Sequence, residues 1–192
     1  GLRGAHQATN AALAAAVALD LGIGPDQVAD GLGRAVGSAW RMELAHTVDG
    51  IVVLNDAYNA NPQSMAAAVE ALRTLGGSDT RRVAVLGAMR ELGESSGDDH
   101  AAVGHSLAEA GVEVLVAVGC GAEVGSLADA ARADGIDVEI VPDASAALEA
   151  LARQRLKAGD AVLIKASRAV GLDQVAAALL SELTRVEDFE RP

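Results

Sequence analysis

Short apolar runs alternate with helix-length segments along most of the chain. Runs at 83–86, 114–118, 138–141 and 161–164 read as strands buried on both faces, and the segments 98–110, 123–133, 144–156 and 172–183 carry helical spacing. Strands regularly separated by helices of this length imply βαβ crossovers. The expected fold is α/β, a Rossmann-like, doubly wound and mostly parallel sheet. Upstream, apolar runs at 40–48 and 51–54 flank Asp49-Gly50, a dipeptide that favours a tight hairpin turn, so a β-hairpin is expected to open this sheet domain. Residues 7–21 are almost entirely Ala, Leu and Val and stop at Gly22, the pattern of a helix buried on most sides with a glycine cap. Pro25-Asp26 starts a second helix, running to about Arg34. Gly31, Gly33 and Gly37 loosen the next stretch, which divides the chain into residues 1–37, two helices, and residues 38–192, the sheet domain.

Composition narrows the core and the partners. Half of the 192 residues are apolar, yet only three are aromatic, so the core is built from Ala, Val, Leu and Ile. Twenty-seven acidic against fifteen basic side chains give a formal charge of −12, which opposes general attraction to nucleic acid or an anionic membrane. An anionic ligand therefore needs a locally basic site. The single cysteine, Cys120, excludes an internal disulfide and fits a cytoplasmic protein. No apolar run approaches the roughly 20 residues that cross a bilayer, so no membrane insertion is expected. The chain opens on Gly1-Leu2-Arg3-Gly4 without a methionine and reads as a piece of a longer protein, and its acidic tail after Arg185 is expected to fray.

Ligands on doubly wound sheets bind beyond the carboxyl ends of the strands. There the most unusual stretch is Asn55-Asp56-Ala57-Tyr58-Asn59-Ala60-Asn61-Pro62, with four amides or acids and a tyrosine in eight positions. Asn61-Pro62 also reads as the cap and first residue of a helix to Leu75, but turn formation does not call for Tyr58 or so many amides. Directional donors and acceptors on a strand end suit a ribose or a peptide. Lys165, one of only two lysines, ends an apolar strand, where it must be paired or face a cleft unless it snorkels to solvent. With Ser167 and Arg168 it makes a short basic mouth suited to phosphate or carboxylate.

The motif DxYNANPxSM, as Asp56-Ala57-Tyr58-Asn59-Ala60-Asn61-Pro62-Gln63-Ser64-Met65, resembles the signature of the Mur ligase family, in particular its D-alanyl-D-alanine-adding members. Gly4-Ala5-His6-Gln7-Ala8-Thr9-Asn10-Ala11 is similar to the family's GxHNxxNA, and Trp40-Arg41-Met42-Glu43 to a GRME-like segment. Leu86-Gly87-Ala88-Met89-Arg90-Glu91-Leu92-Gly93-Glu94 resembles LGDMxELGE, and Leu163-Ile164-Lys165-Ala166-Ser167-Arg168 resembles LVKGSR. The segments occur in the family's order along essentially the whole chain. Gln7, Ala88 and Ala166 depart from the usual Asn, Asp and Gly.

The resemblance implies an ATP-dependent amide-forming reaction in peptidoglycan precursor synthesis, passing through an acyl phosphate. Its expected participants are a UDP-N-acetylmuramoyl tripeptide, D-alanyl-D-alanine, ATP and Mg2+. It implies that residues 1–37 end a central ATP-binding domain and that 38–192 are the carboxyl-terminal domain. It assigns Gln7 and Asn10 to the adenine, Asp56 to the ribose and Arg41 to the phosphates. Lys165 and Arg41 are the expected catalytic residues; Lys165, with Ser167 and Arg168, is expected at the acyl phosphate or the dipeptide carboxylate, and Tyr58, Asn59 and Asn61 at the amine substrate. The sequence contains no GxxxxGK[ST] loop, so the metal ligands and triphosphate site are expected in preceding amino-terminal and central domains, and this segment alone is expected to be inactive.

Rival readings are weaker. Gly119-Cys120-Gly121 with Gly125 is a loose dinucleotide fingerprint, but it falls on a middle βα unit. His100 and His105 stand at i, i+5, which does not put two imidazoles on one helix face, and His100 is expected as a polar residue on its helix face. A module that only binds dipeptide and a sister ligase adding a single amino acid are the remaining alternatives; among the latter, those that add a diamino acid carry a DNPR-like segment where this chain has Asn59-Ala60-Asn61-Pro62, so the dipeptide reading is preferred.

Overall fold

The computed structural model describes residues 5–35 and 40–182, and side chains from residue 8 onward. The expected domain junction at 37–38 and the acidic tail fall outside these residues. The chain separates into two compact units, Gly1–Ala39 and Trp40–Pro192.

In the first unit, α1 (Ala5–Asp20) precedes α2 (Pro25–Gly33). Gly22 ends α1 in a left-handed conformation (φ +83°), with Ile23 N–H donating to Ala18 O and Gly22 N–H to Leu19 O, the paired bonds of a Schellman cap. Pro25 stands in the first turn of α2 as expected. The expectation that α1 is buried on most sides is wrong for this chain: Leu13, Val17 and Leu19 are exposed, as are Leu21 and Ile23 just after it. A helix apolar all round needs neighbours all round, and among the described residues of this unit α2 is the only other helix.

The second unit is a six-stranded sheet in the order β1-β2-β6-β3-β4-β5. The strands are β1 (Glu43–His46), β2 (Val52–Asn55), β3 (Arg82–Gly87), β4 (Val112–Val118), β5 (Asp137–Val141) and β6 (Ala161–Lys165). Only the β1–β2 pair is antiparallel. The intervening helices are α3 (Pro62–Thr74), α4 (Ser96–Glu109), α5 (Ala122–Ala133), α6 (Ala144–Arg153) and α7 (Asp173–Glu182). The expected doubly wound α/β sheet behind a hairpin is therefore present.

Period-two alternation sends Leu54, Ala84, Leu86, Leu115, Ala117, Ala161 and Leu163 into one core, with Met65, Leu72, Leu107 and Leu127 from α3, α4 and α5. Val53, Val83, Val85, Val114, Val116, Val162 and Ile164 fill the other, with Leu151 and Val175 from α6 and α7. With almost no aromatic residues, the helices approach closely; Gly104 of α4 lies against the backbone of α5 at Leu127.

The hairpin differs from the tight turn expected. Gly50 N–H donates to Thr47 O, Thr47 N–H to Ile51 O, and Gly50 takes φ +78°, so Val48-Asp49-Gly50 is a three-residue loop with glycine at the left-handed position. The preceding 40–42 segment, expected as strand, is a turn.

Candidate functional site

The insertion of β6 between β2 and β3 creates the switch point at which the carboxyl ends of these strands meet. Parallel register sets Asn55 beside Ile164, and Asp56 N–H donates to Ile164 O at 2.9 Å. One residue further on, Asp56 and Lys165 fall on the same side of the sheet as Leu54 and Leu163. Lys165 Nζ lies 2.5 Å from Asp56 Oδ2 and donates to Asn59 O at 2.7 Å.

Lys165 is 1% exposed, so it neither snorkels nor stands free at a mouth. Two of its three ammonium hydrogens are committed. Burial pushes its pKa below the ordinary lysine range; the charge and hydrogen bond of Asp56 oppose that shift, and the Arg41 charge adds to it. The other carboxylate oxygen, Asp56 Oδ1, accepts from Met42 N–H at 3.0 Å. Asp56 thus ties the end of β6 to the turn before β1.

That turn is strained. Trp40 and Met42 have φ +63° and +48°, conformations that cost non-glycine residues about 1–2 kcal/mol each. Tyr58 N–H donates to Trp40 O, and Asp56 receives Met42 N–H, so the loop after β2 holds the turn in place. Arg41, expected on a strand, instead projects from this turn with its guanidinium carbon 4.1 Å from the Tyr58 ring centroid. Arg168, from the loop after β6, lies 5.1 Å from the Trp40 ring and 5.5 Å from the Tyr58 ring. The chain's only tryptophan and only tyrosine therefore carry two arginines. Guanidinium groups held on ring faces keep donor edges available to an anion. In the sequence Trp40 stands only at the start of an apolar run and in the GRME-like motif; the signal for its role is its rarity beside Arg41.

The other expected residues divide between caps, loop ties and the helical unit. Asn61 is exposed and caps α3: its side chain accepts from Ser64 N–H while Ser64 Oγ accepts from Asn61 N–H. Its side-chain oxygen is committed to the cap, and Asn61→Ala is expected to cost about 1 kcal/mol, read as a lower urea midpoint. Asn59 is exposed, its Oδ1 accepts from Ala60 N–H, and its carbonyl receives Lys165. Ser167 is buried and its hydroxyl accepts from Arg90 N–H at 2.9 Å, tying the loop after β3 to that after β6. Asn10 lies exposed on α1, in the other unit; Gln7 is on the same helix, and its side chain falls outside those described. Both family departures in this region, Ala88 and Ala166, are buried.

His100 corrects another expectation. It is fully buried rather than on a polar helix face, and it binds the loop after β3. His105 instead pairs with Asp134, the residue that follows α5. Among the described residues no cluster of three or more His, Cys, Asp or Glu could hold a metal ion, and no described helix is long and apolar enough to cross a membrane.

Residues 40–168 match the family described as Mur ligase, glutamate ligase domain. The chain is 41% identical over 202 residues to the UDP-N-acetylmuramoyl-tripeptide–D-alanyl-D-alanine ligase of Mycobacterium tuberculosis, covering 96% of this chain and 39% of that protein. A crystal structure of MurF from Acinetobacter baumannii superposes with a TM-score of 0.78 at 29% identity, covering 94% of this chain and 39% of that one. MurF from Thermotoga maritima, solved in complex with ADP, gives 0.74 at 28% identity, over 95% of this chain and 40% of the other. The chain thus spans about two fifths of the length of these relatives, and over that span it belongs to the Mur ligase family.

Proposed function

We propose that this chain is the carboxyl-terminal part of an ATP-dependent ligase that joins D-alanyl-D-alanine to a UDP-N-acetylmuramoyl tripeptide in peptidoglycan precursor synthesis. The observation that carries the reading is the convergence of Arg41, Asp56, Tyr58, Lys165 and Arg168 at one end of the sheet. Phosphoryl and acyl-phosphate chemistry is mostly positioning and charge neutralisation, so it needs cations held in place rather than a nucleophile. Arg41 and Arg168 supply such cations, fitting the phosphates of ATP and an anionic reactant. Asp56 retains lone pairs for a ribose hydroxyl, although each oxygen already has one partner. Gln7 and Asn10 are assigned to the adenine, Asn59, Asn61 and Ser167 to the dipeptide.

Lys165 acts in this reading through Asp56 and the Asn59 carbonyl, as a positioning residue. Direct contact with a reactant is left to its third hydrogen. The metal ligands and the triphosphate loop are assigned to the preceding part of a longer protein, because the sequence carries no GxxxxGK[ST] loop.

The test is phosphate release from ATP by a ligase of full family length carrying this segment, supplied with the UDP-linked tripeptide. Release that requires D-alanyl-D-alanine is expected, with none from this chain alone. Release stimulated by a single amino acid and not by the dipeptide would move the segment to a sister ligase and remove the assignment of Asn59 and Asn61.

A further inference from the structure

His100 is a fully buried titratable side chain that the proposed reaction does not use. It stands in the first half of α4, and both of its ring nitrogens are engaged. Met89 N–H donates to Nε2 at 2.9 Å, and Nδ1 lies 2.6 Å from Ser96 O. A main-chain N–H only donates and a carbonyl only accepts, so these partners dictate a neutral ring with its proton on Nδ1.

The bond to Met89 is one of three that hold consecutive residues of the loop after β3. Ala88 O accepts from Ser167 N–H at 3.1 Å, Met89 N–H is held by His100, and Arg90 N–H donates to Ser167 Oγ at 2.9 Å. Immediately afterwards Glu91 takes φ +66°, so the chain turns away through a conformation that needs outside support. Ser167 lies between Lys165, paired with Asp56, and Arg168, packed on Trp40 and Tyr58. Seating the β3 loop therefore also fixes the exit of β6.

We propose that His100, neutral and protonated on Nδ1, is a positioning residue of the ligase site: it locks the loop after β3 against the exit of β6 and so sets Ser167 and Arg168. The structural half stands on the hydrogen bonds alone. The catalytic half rests on the proposed ligase function.

Two sets of measurements separate these halves. In 15N spectra of the chain, His100 should carry its proton on Nδ1; a proton on Nε2 overturns the proposal. Backbone amide exchange should be about tenfold faster at Met89 in His100→Ala, with shifted resonances at Ser167 and Arg168 and with Val116 in central β4 as reference for global opening. His100→Gln, whose terminal amide can reach the same N–H, should restore both. Unchanged Met89 exchange overturns the lock even if the ligase is active.

In the full-length ligase, His100→Ala should raise the KM for the amine substrate about tenfold or more, leave that for ATP within about twofold, and be rescued by His100→Gln. A role confined to stability would lower the active fraction and leave both KM values in place, which overturns the catalytic half. A ligase inactive with every amine in the wild type would remove the functional reading while leaving the exchange result intact.

Discussion

Replacing Lys165 with methionine is expected to destabilise the chain by about 3–5 kcal/mol, because it leaves the Asp56 carboxylate buried without its cation. Methionine fits the volume, so the loss comes from charge rather than from a cavity. In Lys165→Met with Asp56→Asn no buried charge remains, and much of the stability should return while activity does not. The pH dependence has a definite sign. With its native pKa below the unfolded value, Lys165 holds fewer protons in the folded than in the unfolded chain between those two values, so its contribution makes stability rise with pH across that interval. Urea unfolding from pH 7 toward the ordinary lysine range should show this rise in the wild type and lose it in the methionine variant. In a full-length ligase the same substitution should reduce turnover on the order of 10²-fold. A folded variant with unchanged kinetics would remove Lys165 from the site; a stability loss under about 1 kcal/mol would show that the pair is not a buried ion pair in solution.

The same pairing explains why the fold is easier to read from sequence than the site. Parallel strands buried on both faces show as apolar runs, so β3, β4 and β6 are visible with the helices between them. Strand order leaves no such trace. Asp56 and Lys165 are 109 residues apart, and they meet only because β6 enters between β2 and β3. Read separately, each suggests a ligand contact; read together they satisfy one another. The 40–42 turn reads as strand for a related reason, since its left-handed residues are held by Asp56 and the loop after β2, which local propensity does not register. His100 escapes sequence reading because a polar residue on a helix is usually solvated, whereas here two backbone groups complete its hydrogen bonds inside the protein.

The packing of α4 on α5 carries the other large expected effect. A methyl group at Gly104 would come within 2.5 Å of Leu127 O, 2.7 Å of Ala130 Cβ and 3.1 Å of Ala131 N. Two of these are backbone atoms of α5, which cannot rotate aside as a side-chain end would. Gly104→Ala should therefore force the helices apart and cost about 3 kcal/mol, although alanine is the better helix former. Gly125, on α5 with open space where its Cβ would point, provides the opposite case. Gly125→Ala should stabilise by about 0.5–1 kcal/mol through helix propensity alone. Urea midpoints of the two variants should move in opposite directions. A neutral or stabilising Gly104→Ala would mean that α4 and α5 pack more loosely in solution than their glycine contact implies. Because α4 also carries His100, displacement of this helix should be felt at Met89 as faster amide exchange even where the site residues themselves are untouched.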